Sequence, residues 1–141
     1  MKTETDFSAV EAAAYECAVQ MLHNGRYILE HLHEVTMPAD LRREVEAVSN
    51  SFVDTKHDVI HDLFEMRENE QDTAYVIQVL QRVIDWLSET VAEMHEVVQK
   101  LHATEDSILA SLLVTGSATY VMLAFGRVKK AADLCQVFRL E

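Results

Sequence analysis

Apolar residues recur at intervals of three, four or seven positions along most of the chain, and charged residues fill the positions between them. This spacing is typical of α-helices that bury one face and expose the other. Pro38, the polar run 67–71 and Thr104 interrupt the pattern and mark three turns. The pattern therefore predicts four helices of similar length, at about residues 7–35, 38–69, 73–102 and 105–139.

The first three predicted helices each carry one main apolar stripe, which we expect to face a shared core. Gly25 lies on the first stripe, and a close crossing with another helix would explain a glycine there. The three stripes comprise Phe7, Val10, Ala14, Cys17, Met21, Ile28 and Leu32; Leu41, Val45, Val48, Phe52, Val59, Leu63 and Met66; and Val76, Leu80, Val83, Leu87, Val91, Met94, Val98 and Leu101.

The fourth predicted helix differs from the others because the stretch Ser107–Gly126 contains no charged residue. Its large apolar residues point in every direction around the helix, so no side of it suits water. We predict a central helix whose remaining side is covered by a second copy of the chain. Two alternatives stay open. Three helices could surround the fourth completely, or the stretch could span a membrane, which its length allows and its small, polar middle disfavours.

Two shorter apolar strips lie well off the main stripes of the second and third predicted helices. The core of one bundle does not require them, so they strengthen the prediction of a homodimer. The predicted oligomer interface consists of Val53, Ile60, Phe64, Tyr75, Val79 and Trp86.

The composition supports an all-α fold, because the chain has only three glycines and one proline from which to build tight turns. Its 141 residues are enough for one domain with a substantial core. We predict a single domain, residues 1–141, folded as an antiparallel four-helix bundle. Its helices are long, its turns are short, and the hydrophobic C-terminal helix is central.

The chain carries 24 acidic and 12 basic residues, which gives a formal net charge of −12. This charge repels the phosphate groups of nucleic acids, so we predict no direct nucleic-acid binding. It suits a basic protein partner, such as the nucleic-acid-binding face of another protein. The predicted partner-binding face lies on the second helix and consists of Asp54, Asp58, Asp62, Glu65 and Glu68.

The seven histidines suggest a metal-binding alternative. Glu30 and His33 have the Glu-x-x-His spacing of di-iron carboxylate bundles, and an antiparallel order would bring His95 and His102 to the same end of the bundle. A di-metal site also needs an inward carboxylate from the fourth helix, whose apolar stretch offers none. We therefore predict no cofactor and interpret the histidines as surface residues.

The sequence contains no phosphate-binding loop, dinucleotide-binding fingerprint or nucleophile elbow. Cys17 and Cys135 are far apart and lie on apolar faces, which is typical of reduced, buried thiols. We predict a cytoplasmic, non-catalytic regulatory or inhibitory protein that binds another protein, with a basic, nucleic-acid-handling protein as the expected target. The alternatives are a metal-binding four-helix bundle and a membrane-inserting protein that uses residues 107–126.

Overall fold

The computed structural model describes residues 7–104 and 106–135, and these residues form four helices packed against one another, without any β-strand. The pattern of inward apolar residues accounts for each helix. A short 3₁₀ helix, Leu32–Glu34, follows α1. The four α-helices are α1 (Phe7–His31), α2 (Ala39–Glu68), α3 (Thr73–His102) and α4 (Ile108–Leu134).

The bounds of α2 and α3 lie within one residue of the predicted ones. Asp72 caps α3 as expected, because its Oδ1 accepts a hydrogen bond from the backbone N–H of Tyr75 at 3.1 Å. The start of α4 differs from the prediction. Asp106 has a φ of 67°, a left-handed conformation that interrupts a helix, and the hydroxyl of Thr104 donates to the carbonyl of Lys100 instead of capping α4.

The core contains the three predicted stripes, one side of α4 and further buried apolar residues, among them Val79, Ile84 and Val97 on α3. Every residue of the α2 and α3 stripes is buried, and so are those of the α1 stripe apart from the half-buried Phe7. The helices form a ring in which α1 contacts α2 and α4, while α3 contacts α2 and α4. Burial of apolar surface by these stripes is the main stabilising term of such a fold.

Gly25 lies at a close approach of α1 to α2. A Cβ atom at this position would lie 2.5 Å from the carbonyl oxygen of Ser49 and 3.0 Å from the Cβ of Phe52. Only a residue without a side chain fits between the two helices at this spacing. The predicted reason for a glycine on the first stripe, a close helix crossing, is confirmed.

Cys17 is a free, fully buried thiol. Burial, together with the negative charge of Glu16, raises the pKa of this thiol to about 12. The thiolate is therefore scarce at neutral pH, and Cys17 acts as a small apolar core residue rather than as a nucleophile.

The pKa of Cys17 predicts a loss of stability in alkaline solution. The thiol of an unfolded chain titrates at about pH 8.5, so above this pH unfolding releases a proton that the folded state retains. We expect the free energy of unfolding to fall as the pH rises from about 9 towards 12, by up to about 1.4 kcal/mol per pH unit. Urea unfolding at about pH 8 and about pH 10 measures this decline. An equal decline in the Cys17→Ala variant would contradict the assignment to this thiol.

Candidate protein-binding surfaces

The outward side of α4 exposes large apolar residues. We call the side chains along its solvent side the α4 outer face. In the single chain, the other three helices do not surround this helix, so the alternative in which they cover it completely was wrong. The large exposed residues of α4, with their exposed fractions, are Ile108 (71%), Leu109 (65%), Leu112 (63%), Tyr120 (67%), Met122 (45%), Leu123 (56%) and Leu134 (76%).

The inward side of α4 carries smaller residues. Small side chains let α1 and α3 approach α4 closely, and the larger side chains consequently point away from the bundle. Residue size, rather than polarity, therefore decides which side of this helix is buried. The buried residues of α4 are Ala110, Ser111, Val114, Ala118, Val121, Ala124, Val128 and Ala132.

Two glycines of α4, Gly116 and Gly126, are exposed. A Cβ atom at either position would meet no described atom within 4 Å, in contrast to Gly25. Glycine inside a helix is less stable than alanine by about 1 kcal/mol. The packing of the described residues therefore supplies no reason for glycine at these two positions.

A groove of about 520 Å³ runs between α1 and α4, beside the α4 outer face. Asn24 lines it and is only 6% exposed, and neither its Oδ1 nor its Nδ2 has a hydrogen-bond partner among the described residues. Half of the Tyr27 surface is exposed on the α1 side of the groove. The groove extends the apolar surface of α4 onto α1, and its lining is Gln20, His23, Asn24, Tyr27, Leu112, Leu113, Gly116, Ser117 and Tyr120.

The predicted acidic face lies on the surface of α2, where Asp54, Asp58, Glu65 and Glu68 are exposed. Asp62 differs from them because it is half-buried and its Oδ2 lies 3.5 Å from the Nε of Arg82 on α3. The four exposed acids therefore keep their charges available to a partner.

The helix α3 exposes further acids, which the sequence interpretation missed. Glu89, Glu93 and Glu96 are exposed, and the last two line a groove of about 300 Å³ between α2 and α3, opposite Glu44. Their spacing of four and three residues places them on one helix face. This spacing could have identified them from the sequence, but only together with the knowledge that α3 lies beside α2.

The predicted interface residues do not form one surface. Val79 is fully buried and belongs to the core, so it is not available to an interface. Phe64 is 68% exposed and lines a groove between α1 and α2. Trp86 is 44% exposed and lies on α3, next to the opposite side of α2 from Phe64. Its indole N–H donates to the hydroxyl of Thr55 at 3.1 Å. Val53, Ile60 and Tyr75 are half-buried.

The four residues of the metal-binding alternative do not assemble. Glu30, His33, His95 and His102 are all exposed, and no three of them bring ligand atoms within 4.8 Å of one another. His102 instead lies with its Nδ1 at 3.0 Å from the hydroxyl of Ser111. The structure gives this set of residues no metal-binding geometry.

Among the described residues, a different group does bring three ligand atoms within 4.8 Å of one another. It consists of His61, Asp62 and Glu65 on α2. The Nδ1 of His61 faces Asp62 at 3.8 Å, whereas its Nε2 faces Glu65 at 3.9 Å. His61 and Glu65 are exposed, and Asp62 is half-buried. Asp62 is also paired with Arg82.

Comparison with protein families, curated proteins and solved structures found no match to this chain.

Proposed function

We propose that this chain is a non-catalytic regulatory or inhibitory protein that acts as a homodimer and binds a basic protein partner. The α4 outer face carries the proposal: its large apolar side chains are mostly more than half exposed, and they need a protein surface to cover them. The simplest cover is a second copy of the same chain. We place the dimer in the cytoplasm.

The ion pairs support an antiparallel order of α1, α2 and α3. Arg67 in the last turn of α2 donates from Nε to Glu11 near the start of α1 at 2.6 Å, and Lys100 near the end of α3 binds Glu44 near the start of α2 at 2.7 Å. These hydrogen bonds raise the pKa of both basic groups. Each pair joins the end of one helix to the start of the preceding one, as expected for antiparallel neighbours.

The acids of α2 and α3 support a basic partner. Asp54, Asp58, Glu65 and Glu68 are exposed on α2, and Glu89, Glu93 and Glu96 are exposed on the neighbouring helix α3. The partly exposed ring of Trp86 lies between the two helices and offers a stacking surface for an arginine or lysine. Such a field accelerates the capture of a cationic partner, and its effect falls as the salt concentration rises.

Charge reversal tests the proposed partner face. Capture with the purified protein as bait is expected to retain a basic protein, and Asp58→Lys with Glu65→Lys is expected to lower that retention at least tenfold, the effect of about 1.4 kcal/mol. A matched double variant, Glu30→Lys with Glu46→Lys, changes the net charge equally at exposed positions away from the face. Equal loss in both double variants, or retention insensitive to salt, would contradict a specific acidic face.

A second candidate function is membrane insertion through α4. This helix, Ile108–Leu134, is long and apolar enough to cross a bilayer. Only 33% of its apolar 18-residue segment is buried. Flotation with phosphatidylcholine vesicles tests it. Recovery of the protein with the vesicles would favour insertion, whereas a soluble dimer that does not float would favour the proposed homodimer.

A further inference from the structure

The outermost line of α4 alternates large and small residues in an order that is complementary to itself when reversed. Leu112 lies seven residues before Thr119 and Gly126 lies seven residues after it, while Gly116 lies three residues before Thr119 and Leu123 lies four residues after it. A large residue at a given distance on one side of Thr119 therefore corresponds to a glycine at nearly the same distance on the other side. These residues follow one another at intervals of three or four, so they share one helix face.

We propose that two copies of the chain associate through their α4 outer faces, with the two helices antiparallel and crossing at Thr119. The proposal rests on the homodimer proposed above and specifies its interface. A two-fold axis at Thr119 places Leu112 over Gly126 of the partner subunit and Leu123 over Gly116 of the partner subunit. An interface of this kind requires each surface to carry both the protruding residues and the positions that receive them, and α4 carries both.

The exposed glycines find their explanation in this arrangement. Nothing described lies within 4 Å of a Cβ at Gly116 or Gly126, and in the proposed dimer the partner subunit supplies the close approach that glycine permits. A leucine opposite each glycine lets the two backbones come close and fills the space that the missing side chain leaves. The two-fold axis repeats both leucine–glycine contacts, so the interface contains four of them.

The charges at the two ends of α4 favour antiparallel over parallel association. Arg127, Lys129 and Lys130 lie near its C-terminal end together with one acid, Asp133, so this end has a net positive charge. Asp106 precedes the first turn, and all five residues are exposed. An antiparallel pair places the net positive end of each helix beside the end of the other that carries Asp106. A parallel pair would instead place two net positive ends side by side, which is unfavourable.

The area of the α4 outer face is sufficient for a stable dimer. Its seven large apolar side chains are each 45% to 76% exposed. Together they amount to apolar surface on the order of 700 Å² per copy, close to the ~800 Å² per partner of a standard interface. This exceeds the few hundred Å² of contiguous apolar surface that most soluble monomers expose.

Site-specific cross-linking tests the register. Each cysteine is introduced into a Cys17→Ala, Cys135→Ala background, after light scattering has established that this background keeps the mass of the wild-type protein. Thr119→Cys is expected to form an intermolecular disulfide under mild oxidation, since the two-fold axis brings both copies of this position together. Ser88→Cys, at an exposed position of α3 rather than of α4, is the matched control and is expected to remain monomeric under denaturing electrophoresis.

The direction of the helices is tested at the ends of the interface. Ile108→Cys and Lys130→Cys proteins are mixed, allowed to exchange subunits and treated with a short bismaleimide linker. We expect the mixed pair to cross-link at least tenfold faster than either protein alone, because residue 108 of one copy faces residue 130 of the other.

Several outcomes would overturn the proposal, and they differ in what they leave standing. Cross-linking of each protein with itself, but not in the mixture, would establish parallel association. A protein of dimeric mass without any cross-link at Thr119→Cys would place the interface elsewhere and leave the proposed homodimer intact. A monomer that floats with phosphatidylcholine vesicles would identify lipid as the occupant of the face and remove the homodimer as well.

Discussion

Replacement of Val114 by aspartate is expected to unfold the protein, although the helix in which it lies exposes much of its apolar surface. Val114 is on the inward side of α4 and is fully buried. A carboxylate without a partner at such a position costs several kcal/mol, which is comparable to a total stability of about 5–15 kcal/mol. Far-ultraviolet circular dichroism is expected to show loss of helix in Val114→Asp at neutral pH.

The matched variant is Leu112→Asp, which introduces the same charge two residues earlier. Leu112 is 63% exposed in the single chain, so water can solvate an aspartate at this position. We expect this variant to keep its helical circular dichroism and to lose its self-association. Unfolding of both variants to the same extent would contradict the assignment of Val114 to the buried side of α4 and of Leu112 to its exposed side.

Replacement of Gly25 by alanine is expected to lower the free energy of unfolding by about 2 kcal/mol. The added Cβ would lie 2.5 Å from the carbonyl oxygen of Ser49, a backbone atom of α2 that moves only if the two helices separate. This expected loss already includes the gain of about 1 kcal/mol that alanine brings to a helix interior. Urea unfolding followed by circular dichroism measures the difference from the wild-type protein.

The same substitution at Gly116 provides the control, because its Cβ would meet open space. It is made in a Leu123→Asp background, in which we expect the aspartate to prevent association through the α4 outer face. The free energy of unfolding then does not depend on dimer formation. We expect Gly116→Ala to raise the free energy of unfolding there by about 0.5–1 kcal/mol. A similar loss at both glycines would argue against the close α1–α2 crossing as the cause at Gly25.

The sequence was sufficient to predict the inward sides of α1, α2 and α3. In these helices charged residues occupy the solvent side, so the apolar positions that remain are those that face the core. Every residue of the predicted α2 and α3 stripes is buried, although the core also includes Val79, Ile84 and Val97 of α3. Gly25 was explained in advance by the close crossing at which it lies. Apolar and charged residues that alternate at helical spacing carry this information by themselves.

The orientation of α4 could not be predicted in the same way. In a stretch without charged residues, the spacing of apolar positions does not distinguish the buried side from the exposed side. The size of the side chains that must fit against α1 and α3 decides which side is buried. Ala110, Ala118 and Ala124 fit in this narrow space, whereas Leu112 and Leu123 do not. The predicted site residues depended similarly on neighbours that the sequence does not reveal. Val79 lies in the core, and the metal-binding residues remain apart.

The solution mass of the wild-type protein tests the central claim, that a second copy covers the α4 outer face. Light scattering on a size-exclusion column, at low and at moderate salt, measures it without a label or a substitution. An apolar interface gains strength rather than weakens as salt increases. We therefore expect twice 16.1 kDa in both buffers. A mass of 16.1 kDa in both, at concentrations well above those of the cross-linking experiment, would contradict the account.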